Sequence, residues 1–275
     1  MQVERMPIAL IACDPEFRIR TWNPSATKIF GFTEEEALGK HPYDIITSKE
    51  VQPYVDELWS QLLKRDATAR SMTCENITKD GRTITCSWTH SPIRDDSTFM
   101  GVLSMVQDIT EQKEAEGRVR ELVYRLDGVS PGNSYLCESH EQCLKIFVDL
   151  TMHDIPSLCI IRENPQELIE HYDLKTEKII LLSSRPIAGC RAVDSLQDVS
   201  LVMSQFLKES GESVVLLDGL EYLITNFGFG AVYKMLQEKR FDFLEAKSVL
   251  LIPVALETLN SQERALLLTE LKILK

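Results

Sequence analysis

Five short runs in the second half of the chain are almost wholly apolar: "SYLC" at 134–137, "LCII" at 158–161, "KIILL" at 178–182, "SVVLL" at 213–217 and "SVLLIPV" at 248–254. Each is too short for a stable helix and lacks polar alternation, so each reads as a strand buried on both faces. Between them lie segments with apolar residues at helical spacing: "HEQCLKIFVDLTM", "PQELIEHY", "SLQDVSLVMSQFLKES", "LEYLITNFGFGAVYKMLQEKR" and "SQERALLLTELKIL". This alternation predicts an α/β domain at 133–275, a mostly parallel five-stranded sheet covered by helices on both faces. Helix starts are expected at Asn164-Pro165 with Glu167, Asp194 with Gln197, and Asn260 with Glu263.

The first half has a different rhythm. "IALIACD" and "FRIRTWN" read as short strands separated by the turn "DPEF". Asn23 with Pro24 starts the helix "PSATKIF", and Thr33 with Glu36 forms a capping box for "EEEAL". Val55, Leu58, Trp59 and Leu62 recur at helical spacing. "ARSMTCENIT", "TITCSWTHSPI" and "TFMGVLSMVQDIT" then alternate as strands, the first two joined by a turn at Asp80-Gly81.

Charge and cysteine content exclude several classes. The formal net charge is −12, shared between residues 1–115 (13 Lys/Arg against 18 Asp/Glu) and the remainder (17 against 24). Neither half offers the basic face that phosphate contacts demand, so nucleic acid is not an expected partner. No apolar run reaches the roughly 20 residues that cross a bilayer, and the start is too charged for a signal peptide. A soluble cytoplasmic protein is the expectation. The seven cysteines (13, 74, 86, 137, 143, 159, 190) are scattered without a C-x-x-C pair, which argues against a disulfide framework or a zinc site.

"WNPSATKIFGFTEEEALGK" at 22–40, the "KDGR" hairpin and "QDITEQKEAE" at 107–116 together resemble a PAS domain over residues 7–115. The resemblance implies an α+β fold, a five-stranded antiparallel sheet with helices over one face, and in many members a small-molecule cavity between them. PAS domains sense ligands, redox state or light, or mediate pairing, and most are not enzymes. Trp22, Cys74, Cys86, Trp88, His90, Leu103 and Met105 are the candidate cavity wall; they are equally suited to packing a core. A haem-binding PAS domain usually takes a histidine from its long helix, which has none here, and the cysteine motif of flavin photosensors is absent. No cofactor is required.

Residues 116–132 form the expected linker. Ala115, Val119, Leu122 and Leu126 follow a 4-3-4 spacing, a narrow stripe suited to pairing two helices in a homodimer or to leaning on its own domain. Asp108 and Thr110, where the last strand hands over to this helix, are the expected relay into it, with Val119, Leu122 and Leu126 carrying the signal onward to an unidentified signalling partner.

Residues 133–275 resemble a domain of unknown function found mostly in archaea, frequently behind PAS domains. "CIIRENPQELIEHY", "VVLLDGLEYLITNFGF" and "LIPVALETLNSQERALLLTELK" carry that likeness. That domain is in turn similar to RecA-type and KaiC-type P-loop ATPases, in which an apolar strand ends on an aspartate as "SVVLLD" ends on Asp218. A phosphate-binding loop needs G-x-x-x-x-G-K-[ST] after the first strand. Here "ESHEQCLKIF" has no glycine and sets Glu138 and Glu141 where a triphosphate would sit, so the nucleotide site is read as lost. Asp218 then closes a buried strand or caps the next helix; a phospho-accepting or nucleotide-binding switch is the alternative. No catalytic constellation is evident, and the expectation is a non-enzymatic signalling protein.

Overall fold

The computed structural model describes residues 8–64, 68–96, 98–166, 169, 179–185 and 190–274. The chain divides into two compact units, Met1–Gly117 and Arg118–Lys275.

In the first unit, β1 (Ala9–Cys13), β2 (Ile19–Trp22), β3 (Arg70–Ile77), β4 (Thr83–Asp95) and β5 (Thr98–Asp108) form an antiparallel sheet in the order β2-β1-β5-β4-β3. β1 buries alternate residues, as a strand covered on one face must. Helices α1 (Pro24–Phe30), α2 (Glu34–Ala37) and α3 (Gln52–Leu62) contribute Phe30, Ala37, Val55, Leu58, Trp59 and Leu62 to the same core as the sheet. Buried Asn23 caps α1 by accepting from the Ala26 amide, and also accepts from Leu10 N and donates to Ile8 O. One side chain thus satisfies the helix end and ties it to β1. The Thr33–Glu36 capping box is formed. The β3–β4 turn is wider than a two-residue one: Thr78 N bonds Arg82 O and Gly81 N bonds Thr78 O, with Gly81 at φ +83°. A turn followed by a left-handed residue makes a three-residue hairpin, and the left-handed position calls for glycine.

Among the described residues of the second unit the sheet is wholly parallel and has seven strands rather than five. Its order is β12 (Lys272–Leu274), β6 (Ser134–Cys137), β11 (Val249–Pro253), β10 (Val214–Leu217), β7 (Ser157–Ile161), β8 (Ile179–Leu182), β9 (Arg191–Val193). The α/β layering follows the alternation expected from sequence. The two additional strands lie at the edges and have three residues each. β12 takes residues assigned to the last helix, which stops at Glu270.

The described helices are α4 (Thr110–Leu126), α5 (His140–Met152), α6 (Leu196–Ser210), α7 (Leu220–Phe227), α8 (Phe229–Glu245) and α9 (Ser261–Glu270). The run expected as one helix after residue 220 breaks at Gly228 (φ 80°) into α7 and α8. α6 is capped by Ser195, which accepts from Asp198 N, not by Asp194. Asn260 and Glu263 form the expected box, whereas Glu167 and most of "PQELIEHY" lie outside the described residues. Val123, Tyr124 and α5 share one core with Tyr135 and Cys137, while α6 to α9 share the other with Leu136. Alternate residues of one strand therefore feed both layers. Each fully buried Leu, Val or Ile contributes about 1.5–3 kcal/mol.

Candidate functional site

Two places among the described residues are candidate sites. The first is a cavity of about 30 Å³ between α3 and the inner face of the first sheet, with Trp59, Cys74, Trp88, His90 and Ser104 among its walls. That volume is close to one water molecule. His90 on β4 is paired with Ser104 on β5, and its Nδ1 lies 2.8 Å from Ser104 Oγ. Trp88 stacks on the imidazole at 5.3 Å with 8° between the rings, and its Nε1 donates to Asn76 Oδ1 at 2.9 Å. His90 Nε2 and Trp59 Nε1 are buried and find no partner among the described residues. Burial pulls the His90 pKa down to about 4, so the ring is neutral near pH 7. Burial also pushes the thiols of Cys74 and Cys86 up, to about 11 and about 12, which keeps them protonated. The cavity therefore presents neutral hydrogen-bonding groups in an apolar wall.

Of the candidate wall residues, Cys74, Trp88 and His90 line the cavity. Trp22 is buried in the same core, where its Nε1 donates to Thr27 Oγ1 and Phe32 O, and Cys86 is buried opposite Cys74. Leu103 and Met105 are corrected. Val102, Ser104 and Val106 take the inner positions of β5, so Leu103 and Met105 fall on the outer face, opposite Ala12 and Leu10, and Met105 is 42% exposed. Sequence reasoning did not single out Trp59 or Ser104 as cavity groups; the cross-strand pairing of Ser104 with His90 is what places it there.

The handover into α4 is held by side chains. Asp108 Oδ1 accepts from Thr110 N at 2.9 Å and from Thr110 Oγ1 at 2.5 Å, while Thr110 Oγ1 accepts from Thr85 N at 2.9 Å. Further along, Val119, Leu122 and Leu126 are 50%, 53% and 86% exposed. The neighbouring Val123 and Tyr124 are buried in the second unit's core, and Arg120 pairs with Glu212 at 3.8 Å.

The second place is the carboxyl end of the parallel sheet. Asp218 follows β10, its amide bonded to Ile160 O, and its Oδ2 lies 3.0 Å from His140 Nε2 at the start of α5. Asp218 does not cap α7: Gly219 is at that position, without a side-chain bond. Gly219 has φ +117°, and a Cβ there would meet Arg162 Cγ at 2.7 Å, so this turn requires glycine. The Arg162 guanidinium lies 3.8 Å from the ring centre of Tyr222. Glu138 pairs loosely with Arg264 at 3.9 Å. The His140–Asp218 and Arg162–Tyr222 pairs were not foreseen; an ionisable residue just past an apolar strand is their only local signal. Among the described residues no three His, Cys, Asp or Glu side chains gather as a metal-binding group, and no helix is long and apolar enough to cross a membrane.

Comparison with known proteins divides the chain in the same way. The family described as "PAS fold" matches residues 3–114, and that described as "Protein of unknown function (DUF835)" matches residues 136–271. The chain is 26% identical over 132 residues to the sensor histidine kinase TmoS of Ectopseudomonas mendocina, a match covering 46% of this chain and 13% of that kinase. Similar solved structures include the PAS domain of a protein from Colwellia psychrerythraea (19% identity, 40% of this chain, 92% of that one, TM-score 0.36). Another is the PAS domain of an HTR-like protein from Haloarcula marismortui (18% identity, 39% and 85%, TM-score 0.34). The chain thus carries an N-terminal PAS domain followed by a DUF835 domain.

Proposed function

We propose that this chain is a non-enzymatic signal-transduction protein in which α4 relays the state of the PAS core to the DUF835 domain. The observation that carries this reading is the helix itself. Asp108 and Thr85 fix its start through Thr110, Val123 and Tyr124 are packed into the second unit's core, and its apolar stripe between is open to solvent. An apolar stripe on a helix is stabilised when covered, and a second copy of the same helix is the occupant this reading assigns. Val at one seam position and Leu at the next suits two parallel strands. A small neutral molecule at His90 and Trp59, or the pairing itself, sets the state; a signalling protein reads it on the second domain.

The likeness of the second domain to P-loop folds is part of this proposal, supported by its parallel sheet and by Asp218 at the end of an inner strand. The domain acts as a docking platform and not as an ATPase, because the Asp218 carboxylate is engaged by His140 and no glycine loop precedes α5. Light scattering on the full chain tests the relay. A dimer converted to monomer by Val119→Lys with Leu122→Lys supports it, and an unchanged mass rejects it. Isothermal titration with Mg-ATP or Mg-GTP tests the rival switch: binding abolished by Asp218→Ala would establish that rival instead.

A further inference from the structure

A second hollow in the PAS domain shares Met72 and Cys74 with the cavity above. It is an open groove of about 730 Å³ between α3 and β3, the last strand of the sheet. Leu58, Met72 and Cys74 form its apolar floor, with Glu50, Glu57 and Glu75 also lining it, and among the described residues no lysine or arginine lines it. Tyr54, 70% exposed, stands on the α3 side.

The backbone of β3 along this groove alternates in a regular way. Thr78 and Arg82 face each other with Thr78 N bonded to Arg82 O. In an antiparallel pair, bonded and non-bonded positions alternate. Residues 76, 74 and 72 therefore turn their N–H and C=O toward β4, and Ser71, Thr73 and Glu75 turn theirs outward. The outward bond from Ile77 N to Ile46 O agrees with this phase and, with the bridge between Thr47 and Asn76, shows that residues 46–48 already cover the edge at its Glu75–Ile77 end, which leaves Ser71 and Thr73 facing the groove. Pairing with β4 runs from Arg70 to Ile77 without a bulge, and positions 71–75 carry neither proline nor lysine, the usual guards of an open edge.

We infer that this groove receives an extended peptide segment carrying basic side chains, which adds to the sheet as a strand beside β3. Main-chain bonds to Ser71 and Thr73 align it. Its alternate residues then face α3, with apolar side chains over Leu58 and Met72 beside Glu50 and Glu57, and the lysine or arginine residues between them share the opposite face with Glu75. The uniformly negative lining selects against acidic segments and makes the association weaken with salt.

Fluorescence anisotropy on the full chain tests this with a fluorescein-labelled synthetic peptide of alternating lysine and valine. The expected result is saturable binding that weakens at least about tenfold when glutamate replaces lysine. Methylating alternate peptide nitrogens, which removes the strand-forming donors, is expected to weaken it by a similar factor. Glu57→Lys with Glu75→Lys should do the same from the protein side. Thr73→Pro removes an outward N–H without touching the β4 ladder and should also weaken binding. Should that variant fail to fold, the methylated peptide tests the same bonds. Absence of binding, equal affinity of the methylated peptide, or indifference to the glutamate reversals would each overturn the inference.

Discussion

His140 Nε2 lies 3.0 Å from Asp218 Oδ2, joining the start of α5 to the residue that follows β10 across 78 positions of sequence. An aspartate at the end of an apolar strand invites a reading as a metal or phosphate ligand. Here its carboxylate, only 15% exposed, is bound to a neighbouring ring. The pair lies at the carboxyl edge of the parallel sheet.

Replacing His140 with alanine takes a hydrogen-bond partner from Asp218. The expected loss is about 1 kcal/mol, held down because the imidazole is half exposed and screened by water. Urea unfolding measures it. Asp218→Asn keeps an acceptor for the ring and should cost less.

His90 gives the PAS domain an acid limit. With a folded pKa of about 4 against an ordinary 6.5, the unfolded chain binds the proton more readily between those values. The His90 contribution to stability is complete above pH 6.5 and is lost as pH falls toward 4. His90→Gln should flatten this part of the pH profile of thermal unfolding.

Asp127 acts with the opposite sign. Its folded pKa is raised to about 6, by burial first and then by Asp149, with His153 and Lys145 opposing, and its Oδ2 finds no partner among the described residues. The folded state disfavours the carboxylate, so this contribution falls as pH rises from about 4 to 6. Asp127→Asn should raise the unfolding midpoint at pH 7 and leave it unchanged near pH 4.

Neighbouring residues of α4 separate stability from pairing. Val123 is 8% exposed within the second core, whereas Val119 is 50% exposed. Val123→Ala should cost about 2 kcal/mol in urea unfolding. Val119→Lys should change unfolding of the dilute chain by no more than about 0.5 kcal/mol.

Loss of the Asp108 carboxylate loosens the entry to α4. Asp108→Ala removes both bonds to Thr110 and should cost about 1 kcal/mol, with faster amide exchange confined to the first turn of the helix.

The buried runs of the second half were legible because a strand covered on both faces has no other composition. β9 and β12 were not: each is a half-exposed edge of three residues, and "KIL" continues the helical spacing of "ALLLTEL". The cavity was half legible for a related reason. A strand's period of two gives alternate faces but not which one points inward, and a shift of one residue exchanges them. His90 and Ser104 face each other across β4 and β5, so even-numbered positions point inward on both; Leu103 and Met105 therefore fall outside. The His140–Asp218 contact needed the strand order itself, since β11 lies between the strands that precede the two residues.

Amide hydrogen exchange along α4, followed as the full chain is diluted, tests most directly whether this helix is a paired relay. Protection at residues 119–126 should fall with dilution, while that of β10 stays constant. Protection in α4 that does not change with concentration would contradict the pairing of the helix.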